Sequence, residues 1–261
     1  MELIFIEGVS GVGKTTMAAS LAAELLSRKR LVREYIEFDY TNPIDFYCTA
    51  YLHYDEYEQL CEKYGSFACD IQQNAISAGK AMLVRYYDGD TPLYDEPLLS
   101  ELSRYEFCYN PKRLISFGTY SAAYGYVWKC FAESLINQYD YLIFDGSLLH
   151  HPINDMLRNY HVSKEQALCH VKGLLNALGV VKRRIIYLKS SDIGEQLIKV
   201  RSDRGENPPT GDDIHFWMTR YEYDMSVLDA LNEDYQIYDV SNNGLNDAQK
   251  QILNSFDLPM L

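Results

Sequence analysis

Gly8-Val9-Ser10-Gly11-Val12-Gly13-Lys14-Thr15 is the stretch on which the reading of the fold turns. It fits the pattern G-x-x-x-x-G-K-[ST] in full. Glycines let a backbone close tightly around an anion with its N–H groups pointing inward. A helix that starts at such a turn adds the partial positive charge of its N-terminus. The spacing therefore assigns Gly8, Val9, Ser10, Gly11, Val12 and Gly13 to the cradle of a polyphosphate. It expects Lys14 at the β- and γ-phosphates, Thr15 in a Mg²⁺ shell and Thr16 at the α-phosphate. The surroundings agree. Residues 3–6 are an apolar run long enough for a buried strand. Beyond Lys14, Met17, Leu21 and Leu25 recur at helical spacing.

Working outward, residues 31–38 read as a second strand and 43–79 as a polar helical stretch. Residues 81–84 read as a strand, 121–138 as a helix and 141–144 as a clear buried strand. Helical patterns fill 153–158 and 164–178. A strand over 184–188, helices over 191–201 and 212–231, a strand over 236–240 and a helix over 248–256 complete the chain. Strands alternating with helices predict an α/β fold whose mostly parallel sheet is covered on both faces. The strands are short and apolar, as sheets buried on both sides require. No Pro/Gly/Ser-rich linker or repeat interrupts the 261 residues, so residues 1–261 read as one domain.

Composition narrows the partners. The net charge is −13, and such an acidic surface repels nucleic acid and anionic lipid. The run Arg28-Lys29-Arg30 reads as cations at a helix C-terminus. The six cysteines Cys48, Cys61, Cys69, Cys108, Cys130 and Cys169 show no metal-ligand spacing and read as free thiols. No apolar run reaches the length of a membrane span, and the N-terminus lacks the features of a signal peptide. A cytoplasmic location is expected.

Two further segments carry chemistry. Tyr141-Leu142-Ile143-Phe144-Asp145 places an acid at the carboxyl edge of the sheet, where open α/β sheets bind ligands. Asp145 is read as holding the Mg²⁺ shell or meeting an acceptor. His150 and His151 follow, either facing that acceptor or packed as ordinary side chains. Asp155 and Arg158 stand three apart on one helical face, a spacing that suits an ion pair. The second segment runs from Arg201-Ser202-Asp203-Arg204 into a Gly/Pro-rich loop. Arg201 and Arg204 suit charge neutralisation in phosphoryl transfer from a closing lid at about 201–212. Asp192 with Glu195 resembles a capping box at the start of that helix.

On these residues the chain resembles thymidylate kinases and deoxynucleoside kinases. Phe5-Ile6-Glu7-Gly8 leading into Gly13-Lys14-Thr15-Thr16 looks like their opening. The stretch from Ile185 through Arg204-Gly205 looks like their strand, helix and lid, and Asp234 to Val240 looks like their last strand. The resemblance implies a three-layer α/β/α P-loop NTPase fold with a five-stranded sheet, and ATP with Mg²⁺ as phosphoryl donor. It further implies a small-molecule acceptor, nucleoside or nucleotide-like, over the strand ends, with a helical acceptor-side insertion at about 40–138. An acid after the second strand serves such kinases as base, and Glu37 or Asp39 holds that place. The catalytic set then comprises Lys14, Arg201, Arg204, Asp145 and one of those two acids.

The family's Arg-Glu-Pro after strand two is replaced by Tyr35-Ile36-Glu37-Phe38-Asp39, and its Asp-Arg pair after strand three by Asp145-Gly146. Both changes remove arginines, and a neutral or cationic acceptor suits the acidic balance. Arg85, Arg104, Lys112 and Arg113 are the cations on hand for an anionic one, with Tyr86, Tyr105 and Trp128 as stacking groups. The competing reading is an ATP-binding switch without acceptor. A guanine-nucleotide switch is disfavoured, because no Asn-Lys-x-Asp run occurs. The identity of the acceptor, ATP against GTP, and the oligomeric state, homodimer included, stay open.

Overall fold

A computed structural model describes residues 1–37, 39–135, 138–241 and 244–256. Strands are β1 (Glu2–Glu7), β2 (Val32–Tyr35), β3 (Thr49–His53), β4 (Ala75–Ser77), β5 (Ala81–Arg85), β6 (Tyr87–Asp88), β7 (Thr91–Pro92), β8 (Tyr141–Asp145), β9 (Arg183–Lys189) and β10 (Tyr235–Asp239). Helices are α1 (Lys14–Ser27), α2 (Tyr54–Lys63), α3 (Ala68–Gln73), α4 (Leu98–Leu102), α5 (Phe117–Ser134), α6 (His150–Asp155), α7 (Lys164–Ala177), α8 (Ile193–Asp203), α9 (Gly211–Ala230) and α10 (Leu245–Asn254).

The five-stranded sheet has the order β10-β9-β1-β8-β2, and every pairing in it is parallel. Successive side chains of a strand point to opposite faces, and here both faces are buried. Leu3, Phe5, Leu142, Phe144, Ile185 and Tyr187 pack into one core with α5 and α7. Ile4, Ile6, Ile143, Ile186 and Leu188 pack into the other with α1 and α10. This is a three-layer α/β/α sandwich with the glycine-rich turn between its central strand and first helix. It is the P-loop NTPase arrangement.

The segment between β2 and α5 departs from the helical insertion expected at 40–138. It contains an antiparallel sheet of order β3-β5-β4, capped by α2 and α3 over a separate small core of Leu52, Leu60, Ile71 and Val84. Thr49–His53 alternates poorly and lies in a polar neighbourhood, so nothing in its pattern separated it from a helix. The second strand is shorter than 31–38 and the fifth helix starts earlier than 121. Positions 38, 136 and 137, included in those expectations, lie outside the described residues. The helix expected at 153–158 begins at His150 and ends in a π-helical turn over Met156–Tyr160. Among the described residues, no helix is long and apolar enough to cross a membrane, and all six cysteines are free.

Candidate functional site

β1 ends in a tight turn that only glycine can make. Gly8 has φ 145°, and a Cβ on it would lie 2.4 Å from the Leu188 carbonyl oxygen. Gly13 is left-handed at φ 91° and hands the chain to α1. Lys14 is therefore the first helical residue. Its ammonium folds back to donate to the Val9 carbonyl at 3.1 Å. Burial lowers its pKa, while the charges of Asp145, Glu37 and Glu7 oppose that fall. Thr15 donates its hydroxyl to Asp145 Oδ2 at 2.6 Å, which brings together two residues 130 positions apart. Asp145 is 1% exposed, and its other oxygen, Oδ1, is buried without a partner. A hydroxyl beside a carboxylate with one open oxygen is a donor set for a hard, oxygen-seeking cation, so the residues present fit Mg²⁺.

Beside the loop stand Glu7 and Asp45, to which the sequence assigns no role, and His150 and His151, which it reads as either facing the acceptor or packed as ordinary side chains. Glu7 is fully buried and accepts backbone N–H groups of Leu148 and His150, each at 2.8 Å. Burial pushes its carboxyl up to about 7, against those two hydrogen bonds. It thereby ties the phosphate loop to the loop after β8. His150 places Nδ1 2.9 Å from the Gly8 carbonyl and stacks on Trp217 with ring centroids 5.5 Å apart. Burial pushes its pKa well below the usual histidine range. His151 does the reverse. Burial works against its charge, but Asp45, 3.5 Å from Nδ1, and Glu37, 3.8 Å from Nε2, lift it to about 9. Asp45 is held down at about 2, with burial opposed by His151, Arg85 and the Tyr109 hydroxyl that donates to it at 3.0 Å.

The two histidines line a cavity of about 580 Å³ together with Lys14, Thr15, Thr16, Glu37, Tyr109, Asn154, Arg158, Arg204 and Trp217, with Glu7 and Asp45 behind them. Ser10, Gly11 and Gly13 form its wall on the phosphate-loop side, and Asp155 reaches it as well. A second cleft of about 470 Å³ meets the same loop at Gly11, Val12 and Gly13, lined by Asp192, Gln196, Ser241 and Leu245. Gln196 donates to the Gly11 carbonyl at 2.7 Å. As expected, Asp192 caps α8 by accepting the Glu195 N–H at 2.9 Å.

The sequence-selected residues divide sharply. Lys14, Thr15, Thr16, Glu37 and Arg204 line the first cavity, and Asp145 touches Thr15. Asp39 does not line it; it pairs with Arg33 at 3.1 Å and accepts the Thr41 N–H. Arg201 pairs with Asp213 at 3.1 Å, joining the end of α8 to the start of α9. The expected Asp155–Arg158 pair is not what forms. Asp155 accepts from the Tyr109 N–H at 2.7 Å and from Asn159 at 2.6 Å, and Arg158 lies 4.2 Å over the Phe216 ring.

None of the proposed acceptor cations or stacking groups between 85 and 128 reaches the cavity. Trp128 is fully buried, stacked on Phe5 under the sheet. Arg85 donates to the carbonyls of Asn42 and Asp45, and Arg113 lies over Tyr105 and pairs with Glu56. Lys112 donates to Ser103, and Tyr86 packs in the small third core.

No family model matches the chain, and no curated protein matches it. Among solved structures, it is similar to a thymidylate kinase from Candida albicans at 15% identity, over 97% of this chain and 89% of that one, with a TM-score of 0.47. It is also similar to a shikimate kinase from Bacteroides thetaiotaomicron at 13% identity, over 97% and 96%, with a TM-score of 0.39. Neither likeness assigns an acceptor to this chain.

Proposed function

We propose that the protein is an ATP-dependent kinase that transfers the terminal phosphoryl group to a hydroxyl of a small molecule, nucleoside or nucleotide-like. The observation that carries this reading is one cavity in which the phosphate-loop residues Lys14 and Thr15 face a carboxylate, Glu37, and a lid arginine, Arg204. P-loop switches also use an arginine at the phosphate end, so the part of this set that favours transfer is the carboxylate placed to take a hydroxyl proton.

In this reading the amides of residues 8–15 wrap the donor's phosphates, and its nucleoside end occupies the cleft beside Gln196 and Ser241. Thr15 and Asp145 would hold Mg²⁺, which would supply charge neutralisation to the donor's phosphates when bound. Lys14 leaves the Val9 carbonyl for the terminal phosphate. Glu37 takes the acceptor's hydroxyl proton, and Arg204 meets the charge on the moving group. Arg201 holds the lid through Asp213. His151, charged and wedged between Asp45 and Glu37, positions the Glu37 carboxylate. The wall of Tyr109, Asn154 and Trp217 offers an aromatic face and an amide to the acceptor, which fits a planar heterocycle with polar edges.

The test is a screen of nucleosides, nucleotides and aminated sugars with labelled ATP, scored by the mass of the product. Phosphorylation of an acceptor that Lys14→Ala abolishes supports the reading. An ATPase rate that no acceptor alters, in protein that takes up Mg²⁺·ATP, overturns it in favour of the switch.

A further inference from the structure

The cavity holds a second donor set besides the oxygen pair of the phosphate loop, and it shares Glu37 and His151 with the proposed transfer. Glu37, His150 and His151 each offer one ligand atom, and these atoms all lie within 4.8 Å of one another. His150 faces the Gly8 carbonyl with Nδ1 at 2.9 Å. A carbonyl only accepts, so the ring hydrogen sits on Nδ1 and the lone pair on Nε2. Asn154 lies 3.3 Å from that Nε2, a long bond that a competing ligand displaces at little cost. His151 is 5% exposed, and neither of its ring nitrogens has a hydrogen-bond partner. Asp45 stands behind Nδ1 at 3.5 Å and Glu37 before Nε2 at 3.8 Å.

Metal-ligating histidines give one ring N–H to a carboxylate or carbonyl and turn the other nitrogen to the ion. His150 has that outer partner in the Gly8 carbonyl at 2.9 Å, and His151 has the Asp45 carboxylate on the corresponding side at 3.5 Å, close enough to take up the role when an ion draws the ring forward. We infer that Glu37, His150 and His151 form a binding site for a borderline first-row dication, Zn²⁺ foremost, distinct from the hard oxygen pair of Thr15 and Asp145.

Two imidazoles and one carboxylate suit zinc and its neighbours, whereas Mg²⁺ prefers oxygen donors and retained water. Zinc bonds of about 2.0–2.2 Å require the ligand atoms to draw together by roughly an ångström. Glu37 supplies that movement, since its side chain is 37% exposed and stands on a turn after β2. The neighbouring Asp45, 3.5 Å from His151 Nδ1, supplies negative charge that a dication answers. An occupied site takes Glu37 away from the acceptor and so holds the enzyme off. That consequence alone rests on the kinase reading; the binding of metal does not.

The experiment is equilibrium dialysis of the full chain against Zn²⁺ in excess Mg²⁺, with Co²⁺ as spectroscopic probe. The exposed thiols of Cys69, Cys130 and Cys169 are alkylated first. The expected result is one Zn²⁺ per chain and visible Co²⁺ bands of four- or five-coordinate geometry. His151→Gln and Glu37→Gln each weaken binding beyond the ~10–100-fold typical of outer-shell partners, and Asp145→Asn retains it. Glu37 is the surface-accessible arm, so its substitution stays informative even where the buried histidine variant melts early. No zinc uptake, or uptake that both substitutions leave intact, overturns the site. Loss in Asp145→Asn alone assigns the ion to the phosphate loop and overturns it equally. A protein that binds zinc here yet phosphorylates nothing removes the kinase reading and leaves the metal site standing.

Discussion

Arg201 and Arg204, three positions apart at the C-terminal end of α8, have different surroundings. Arg204 is largely exposed, lines the cavity and, among the described residues, has Glu206 at 3.9 Å as its ion-pair partner, so it is able to swing. Arg201 is committed to Asp213. An arginine that meets charge developing on the transferred group acts in the transition state and contributes little to ground-state binding. Arg204→Ala is therefore expected to lower turnover on the order of 10³-fold with Mg²⁺·ATP affinity near that of the wild type. Arg201→Ala loosens the lid and produces a much smaller fall. Steady-state kinetics with ATP titrations of both variants check this, and equal damage from the two would erase the distinction. Legibility at this scale follows the range of the interaction. Gly8, Lys14 and Thr15 were readable because a tight turn constrains consecutive residues. The Asp45–His151–Glu37 cluster was not, because nothing local links position 45 to position 151. Glu7 did leave a signal, a carboxylate closing an otherwise apolar buried strand.

Among the elements, α9 bears on the site twice, directly through Trp217 in the cavity wall and from further off through Arg220. Arg220 on it is fully buried and donates to Asp224 at 2.8 Å and to the Leu149 carbonyl at 2.6 Å. Tyr187 of β9 donates to the same carboxylate at 2.8 Å. The network fixes the loop from which His150 and His151 project. Removing one partner of a buried pair strands the other charge, at roughly 3–5 kcal/mol. Arg220→Ala should cost about that much in urea unfolding, whereas Arg220→Met with Asp224→Leu should recover part of it. A loss below about 1 kcal/mol for the single variant would mean that water has replaced the pair. The sequence exposed the central strands because both their faces are buried, leaving unbroken apolar runs such as 3–6 and 141–144. Of the small antiparallel sheet it showed β5, read at 81–84, and concealed β3 and β4, whose short runs sit inside a stretch of polar, helix-like pattern. It likewise concealed Arg220, which reads like any cation on a polar helix face.

For the whole molecule, buried titratable groups make stability depend on pH in two opposed directions. Burial lowers His170 to about 3 from 6.5, so its neutral form is native; its stabilisation is complete above pH 6.5 and fades as the pH falls toward 3. Burial raises Glu106 to about 8 from 4.5, so its protonated form is native. Its contribution is complete below 4.5 and fades as the pH rises through 8. The Tyr86 hydroxyl donates to Glu106 Oε2, and backbone groups of Thr49 and Cys108 also favour the charged form, but burial outweighs them. Above pH 6.5 the His170 term is flat, and Glu106, Glu7 and His151 all lose stabilisation with rising pH. The unfolding free energy of the wild type should therefore fall between pH 6.5 and 8. Glu106→Gln keeps the shape and removes the titration, so that fall should shrink by about 2 kcal/mol, the value of a 1.5-unit interval at 1.36 kcal/mol per unit. Urea unfolding of both proteins at the two pH values measures it. An unchanged fall would show that the Glu106 carboxyl ionises in the native state at its ordinary pKa, with water reaching a pocket that the packing of β3, β5 and α4 otherwise closes.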